Sequence, residues 1–443
     1  MHVTEHDAIR ICHARVIDPF TGRDETGDLA IVHGRIADDA PAGARVIDAA
    51  GWIVCPGLCD MHVHLREPGQ THKETIESGT RAAAAGGFTS VACMPNTDPP
   101  LDNPDAVRRV LAEANRAGHC RVLPVACITR GRHGRELVDF AALRDAGAAA
   151  FSDDGSGVED DRVMRAAFEQ AARHDLLLIQ HCEYRALSAG GVMHLGEVSD
   201  RLDLPGLDPR SEEAMIERDL GLCRETGGRY HVAHISTATA VDLIRRAKAD
   251  SLPVTAEVTP HHLLLTHEAC ADRDPNTKMH PPLRTAEDVA ACRHGLLDGT
   301  TDCIATDHAP HTAREKAAGF LSAPPGIVGL ETAAGLAVRA MIQDAGADWP
   351  ALLRWFTTGP KRVLGGVPEG RGPNDPADHG LISGRTADLT LIDPEAAWTV
   401  DPAFFASKSA NTPFSGWNLT GRPQATIRGH RLSAMTDIPL HHG

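Results

Sequence analysis

Two histidines two positions apart, His62 and His64, close an apolar run that opens at Trp52 and passes through Pro56 and Gly57. On a β-strand, residues i and i+2 leave the same face. The two imidazoles therefore converge on one point, as the first two ligands of a divalent metal must. Such a pair also arises by chance on a protein surface, so the chemistry depends on further donors at the ends of other apolar runs. Those donors exist. Asp153 and Asp154 follow the run 148–152, His181 closes 176–181, His234 lies in 230–235, and Asp307 follows 302–306. Imidazole with carboxylate is the donor set of Zn2+, Mn2+, Fe2+ or Ni2+ in hydrolytic sites. His62, His64 and a carboxylate suit one metal. His181 and His234 suit a second, roughly 3.5–4 Å away, with a carboxylate and a hydroxide between the two. In such a site Asp307 can take the proton of the attacking hydroxide and pass it to a leaving nitrogen. Asp153-Asp154-Gly155 and Pro95-Asn96 also read as turn chemistry. His261 and His262 are adjacent after the seventh run, face opposite ways on an extended backbone, and read as structural.

For these donors to meet, the runs must be parallel strands whose C-terminal ends share one face. Residues 59–65, 88–94, 121–128, 148–152, 176–181, 230–235, 254–259 and 302–306 read as eight strands. Amphipathic or alanine-rich helical stretches at 73–85, 104–117, 161–174, 211–226 and 240–249 separate them. This alternation implies an α/β fold, a (β/α)8 TIM-type barrel, with its active site at the C-terminal strand ends. A doubly wound open sheet is the runner-up, but no Gly-rich phosphate loop follows the first strand. Residues 1–58 offer short strands at 9–17, 27–32, 46–48 and 52–54, with a turn at 19–22. They are too one-sided to bury a core alone. After a Gly/Pro/Asp-dense hinge at 365–376, strands return at 387–392, 398–400 and 425–427. Both ends are expected to combine into one small composite β-sandwich, giving units 1–58, 59–365 and 366–443.

The chain of 443 residues is 42% apolar and 23% charged, a globular balance. Its 44 basic against 60 acidic residues leave a net charge of −16. That argues against nucleic acid or an anionic membrane as partner, but not against a small anion held by a local arginine. Eleven cysteines without a framework spacing read as reduced core thiols of a cytoplasmic protein. No window approaches the ~20 apolar residues of a membrane span, and residues 1–18 lack the apolar core of a signal peptide.

The runs Asp60-Met-His-Val-His-Leu-Arg66-Glu-Pro68 and Ala305-Thr-Asp307-His-Ala-Pro-His311 through Lys316 resemble the two signatures of class I bacterial dihydroorotases, within the amidohydrolase superfamily. Further stretches match along nearly the whole chain, among them Met94-Pro-Asn-Thr97, Phe151-Ser-Asp-Asp-Gly155, His181-Cys-Glu183, His234-Ile-Ser-Thr237, Ala256-Glu-Val-Thr-Pro-His-His262 and Asn411-Thr-Pro-Phe414. The resemblance implies interconversion of N-carbamoyl-L-aspartate and L-dihydroorotate in pyrimidine biosynthesis, with one or two zinc ions per subunit. It implies His62, His64, Asp154, His181, His234 and Asp307 as ligands, Asp307 also being the proton shuttle. Arg66, Asn96 and His311 would hold the substrate carboxylate, and the planar fork of Arg66 suits that role. His280 stands where the family often has asparagine and is expected to contact substrate. The loop 315–326 is expected to be mobile and to close over the substrate, with Pro325 and Gly326 contacting it through backbone groups.

Many amidohydrolases bridge their metals with a carbamylated lysine on the fourth strand. Residues 148–155 contain no lysine, and Asp154 is the matching residue. This favours dihydroorotase over hydantoinase, allantoinase or dihydropyrimidinase. The resemblance also allows a homodimer, association with aspartate transcarbamoylase, or a role as an inactive scaffold for that enzyme. The complete ligand set speaks against the inactive scaffold.

Overall fold

A shared site at the strand ends requires eight strands to bring their C-termini to one level. The computed structural model, which describes residues 8–365, 380–434 and 440–442, contains that arrangement. Of the hinge expected at 365–376, all but Gly365 lies outside the described residues. The barrel strands are Leu58–Val63, Phe88–Cys93, Arg121–Ala126, Ala150–Phe151, Leu177–Gln180, Arg229–Val232, Val254–Val258 and Cys303–Ile304. Each pairs in parallel with its sequence neighbour. The first and last meet through a Val63–His308 bridge, where the His64 N–H donates to the His308 carbonyl at 2.9 Å. Every strand stops one to three residues before its expected end. The residues just beyond leave extended geometry to form the site: His234 and Asp307 have φ of 30° and 49°.

The helices Pro104–Ala117 and Asp161–His174 have the expected bounds. The first helix starts at Ile76 instead of residue 73, because the Thr75 side chain caps it by accepting from the Ser78 N–H. Among the described residues no helix is long and apolar enough to cross a membrane. All eleven cysteines are buried free thiols.

Both chain ends build one nine-stranded sheet with its own core, including Ile11, Val16, Ile47, Leu389 and Ile427. Asp388–Thr399 runs antiparallel to Ile53–Pro56, placing Leu391 opposite Val54. The runs expected separately at 387–392 and 398–400 form this single strand, with an irregular register between Asp393 and Ala397. A polar, bulged middle hides its continuity from a pattern of alternation.

Gly57 is the only residue between the sheet strand Ile53–Pro56 and the barrel strand Leu58–Val63. Its N–H donates to the Asp388 carbonyl at 2.9 Å, and a Cβ there would overlap Thr89 Oγ1 and Asp388 Oδ1. Gly57→Ala is therefore expected to lower the stability by about 1–3 kcal/mol through overpacking. Denaturant titration reads this as a lower midpoint, and an unchanged midpoint would contradict the close approach.

Candidate metal centre

Asp154, just past the fourth strand, is the point on which the other donors converge. Its Oδ1 lies 3.3 Å from His62 Nε2, 3.7 Å from His181 Nδ1 and 3.9 Å from His234 Nε2, and its Oδ2 lies 3.6 Å from His64 Nε2. Asp307 Oδ1 is 2.9 Å from His64 Nε2 and 3.6 Å from His62 Nε2. His181 Nδ1 and His234 Nε2 are 2.9 Å apart. All six expected ligands are buried; His62, His64 and Asp307 form one candidate group, His62, Asp154 and His234 another, and His181 falls in a third with Glu183 and His280. Asp153 turns away and accepts from the Ile128 and Thr129 N–H groups at 2.8 and 3.0 Å, which makes it a structural residue.

The ligand rings are fixed from behind. His62 Nδ1 lies 2.7 Å from Glu257 Oε1, and His64 Nδ1 lies 2.8 Å from Asn96 Oδ1. Each Nδ1 is thereby the protonated nitrogen, leaving the Nε2 lone pair for a metal. No motif pointed to Glu257 for this role, although an acid inside the apolar strand Val254–Val258 was the signal to follow. Arg66, His234 and Asp307 all sit at positive φ (60°, 30° and 49°). For residues other than glycine that costs on the order of 1–3 kcal/mol each, a strain held by the surrounding packing.

The residues fit a divalent metal on their own chemistry. His62 Nε2 and Asp154 Oδ1 are buried and have no hydrogen-bond partner. Burial opposes charge on His62, yet Asp154 and Glu257 outweigh it and raise its pKa well above the usual value. Burial likewise opposes ionisation of Asp154, but the neighbouring imidazoles, His62 foremost, hold its carboxyl well below the usual range. Carboxylates and imidazoles thus compensate one another across the centre, the balance a divalent cation shared among them would also strike.

Above it opens a cavity of about 230 Å3. Its walls carry His64, Asp154, His181, His234 and Asp307, together with every expected substrate residue: Arg66, Asn96, His280, His311, Pro325 and Gly326. His62 is fully buried and is not among the wall residues. Arg66 donates from Nε to the Pro310 carbonyl at 3.2 Å, and its Nη2 is 3.4 Å from His311 Nε2. Burial, then Arg66, pushes His311 down to about 2, so its imidazole is neutral. His280 Nε2 lies 3.0 Å from Glu183 Oε1, whose other oxygen is 3.5 Å from His181 Nε2. Glu183, like Glu257, carries no expected role in the sequence.

Two expectations change. The loop 315–326 is tethered: Lys316 Nζ donates to the Pro275 and Pro324 carbonyls at 3.0 and 2.9 Å. The Gly326 N–H donates to the Lys278 carbonyl at 2.8 Å, and the Gly326 carbonyl accepts from Asn411 Nδ2 at 3.1 Å. Gly326 lines the cavity with its N–H engaged and one hydrogen bond on its carbonyl. His261 and His262 do not face opposite ways, because they lie in the short helix Pro260–Leu264 with ring centroids 4.5 Å apart. His262 is structural as expected, with Nδ1 2.8 Å from Thr259 Oγ1 and Nε2 3.1 Å from the Pro281 carbonyl.

A parallel barrel with an imidazole–carboxylate centre at its C-terminal rim, joined to a sheet built from both chain ends, defines an enzyme of the amidohydrolase class. Residues 51–240 match the family model described as Dihydro-orotase-like. The chain is 51% identical over 423 residues to a dihydroorotase of Pelotomaculum thermopropionicum, covering 94% of this chain and 96% of that one. It is 46% identical to a dihydroorotase of Syntrophotalea carbinolica, covering 96% and 98%. The chain belongs to the dihydroorotase family. In fold it is similar to an L-hydantoinase (dihydropyrimidinase) from Arthrobacter aurescens, with a TM-score of 0.84, 23% identity and coverage of 99% and 98%.

Because Asn96 Oδ1 orients His64, Asn96→Ala is expected to weaken metal retention roughly 10–100-fold. Competition against a chelator measures this, and undiminished retention would remove Asn96 from that role.

Proposed function

We propose that this enzyme interconverts N-carbamoyl-L-aspartate and L-dihydroorotate, using zinc held by His62, His64, Asp154, His181, His234 and Asp307. The observation that carries the reading is the position of Arg66. A buried guanidinium opens onto the same small cavity as the metal donors, so an anionic group and a scissile amide can be held together in one small substrate. The dihydroorotase relatives support that choice, and so does Asp154 at the end of a fourth strand without lysine.

The substrate carboxylate is held by Arg66, with Asn96 and neutral His311 beside it. A charged, planar fork binds such a group in two places and fixes the ring relative to the centre. Asn96 serves twice: its Oδ1 holds His64, and its Nδ2 remains on the cavity side, 3.5 Å from Asp154 Oδ2. His280, steadied by Glu183, forms the opposite wall. Zinc bound by this set would acidify water and polarise a carbonyl.

Asp307 handles the proton. Burial raises its pKa, but the imidazoles of His64 and His62 beside it outweigh that and hold it below the usual carboxylate range. It is therefore ionised and ready to accept a proton from the attacking water. As a C–O bond forms at the ring carbonyl and the ring C–N bond breaks, Asp307 returns that proton to the departing nitrogen. Ring closure is the reverse, with water leaving.

Asp307→Asn should cut turnover by about 10²–10⁴-fold while most of the metal stays bound. Dihydroorotate hydrolysis alongside metal analysis tests this, and near-normal turnover would sink the assignment. Arg66→Ala loses charged hydrogen bonds of about 1.5–3 kcal/mol each, so KM should rise by at least about tenfold. An unchanged KM, or comparable turnover of hydantoin or allantoin by the wild-type enzyme, would instead favour another cyclic ureide as substrate.

A further inference from the structure

Away from the metal centre, a second and larger cavity of about 680 Å3 opens at the other end of the barrel. Arg121, Leu177 and Arg229 line it and are the first residues of their strands, whereas the metal donors lie at or beyond the last ones. The helix Thr358–Leu364 supplies Lys361 and Leu364, and the sheet strand Asn418–Arg428 reaches in with Arg428. Barrel, helix and flanking sheet thus share one hollow of small-molecule size. No step of the hydrolysis uses it.

Its charge is lopsided. Arg121, Arg144, Arg229, Lys361 and Arg428 face it, against the carboxylates of Asp145 and Asp175. In a chain of net charge −16 this local excess of cations is not a consequence of composition. Arg144 is paired with Asp145 at 3.0 Å. Arg229 lies 3.9 Å from Asp175 and donates to the Val363 carbonyl at 2.6 Å. Arg121 and Arg428 are different. Among the described residues neither guanidinium makes a hydrogen bond or a close ion pair, and Arg121 Nε is buried without a partner. Both side chains are half-buried. Burial, then the charge of Arg121, pulls Arg428 below its usual pKa, with Asp388 opposing. The Asp388 carboxylate acts on Lys361 and Arg121 as well, so one acid is shared among them. Charges drawn out of water need a counter-charge, and here the cavity itself is where one can sit.

We propose that this cavity binds an organic phosphate of the nucleoside monophosphate class, its phosphate on Arg121 and Arg428 and its sugar and base against the apolar wall. Guanidinium forks match phosphate oxygens in pairs and carry their charge at any physiological pH. Leu111, Leu123, Leu176 and Leu364 line the same cavity, so a ligand with an apolar or aromatic body gains burial that a bare inorganic anion cannot. Arg144, already neutralised by Asp145, contributes less than the two unpaired arginines. The proposal is independent of which cyclic amide the enzyme hydrolyses at the opposite end of the barrel.

Isothermal titration of the full-length enzyme with the common ribonucleoside 5′-monophosphates tests this, with the uncharged nucleosides and inorganic phosphate alongside. At least one monophosphate should bind, and more tightly than either its nucleoside or inorganic phosphate. Arg121→Gln and Arg428→Gln should each weaken that binding roughly tenfold or more. Arg144→Gln should weaken it less, and Arg66→Ala, in the catalytic cavity, should leave it unchanged. If the arginine variants fold poorly, hydrogen–deuterium exchange on the wild-type enzyme supplies the same reading, with the monophosphate protecting amides in 121–123, 144–149 and 361–364. Failure of every monophosphate to bind overturns the proposal. Inorganic phosphate binding as tightly as the monophosphates also overturns it, because the apolar wall would then contribute nothing. Binding that is lost in Arg66→Ala and kept in Arg121→Gln and Arg428→Gln, or protection confined to residues around Asp154 and Asp307, overturns it and moves the ligand to the catalytic centre.

Discussion

A single buried carboxyl, Asp60, ties the first barrel strand to the last. It accepts from the Thr306 N–H at 3.1 Å, from the Thr306 hydroxyl, and from the His62 N–H at 3.0 Å. Burial pushes its pKa up to about 7, which reflects what it costs to keep a carboxylate inside the barrel. The hydrogen bonds offset part of that cost and fix the relative height of His62, His64 and Asp307. If that seam slipped by one residue, alternate side chains would exchange faces, and the two histidines would no longer meet Asp307.

From that seam the rest of the centre is built outward. His62 and His64 are each held by a partner on another strand or strand-end loop, so the direction of their lone pairs is set before any metal arrives. Glu257 makes contact with both the catalytic layer and the layer beneath it. The strained backbones at Arg66, His234 and Asp307 stay in place because the residues on either side are packed and hydrogen-bonded. Rigid support of this kind lowers the reorganisation required when substrate and metal bind.

The flanking sheet also contributes to the active site. Gly57 lets the barrel and sheet backbones approach closely, and Asn411, from the C-terminal segment, reaches back over the barrel rim. Asn411 accepts from the His311 N–H at 3.0 Å and donates to the carbonyls of Ala309 and Gly326 at 3.1 Å each. One amide thereby holds His311 and Gly326, two wall residues of the cavity, in register. The tethers from Lys316 and Asn411 fasten a loop rich in Ala, Gly and Pro beside the cavity.

Periodicity and strand-end chemistry determined the barrel, the composite sheet and the histidines and carboxylates gathered at the strand ends, because those signals are local: His62 and His64 share a face by strand geometry alone. The family's motifs singled out Asn96 and Asn411 without revealing which groups of the protein they touch. Only the tertiary structure decided which partners fix the ligands, since His62 meets Glu257 across 195 positions of sequence and no local pattern encodes such a pair. Tertiary packing also decided that the strands end early, that His261 and His262 lie on a helix, and that Gly326 is engaged by the barrel. In each case long-range hydrogen bonds and packing overrode what neighbouring residues suggested. The His62-x-His64 pair was visible from the start; the partners that orient its two imidazoles came only with the chain folded behind it.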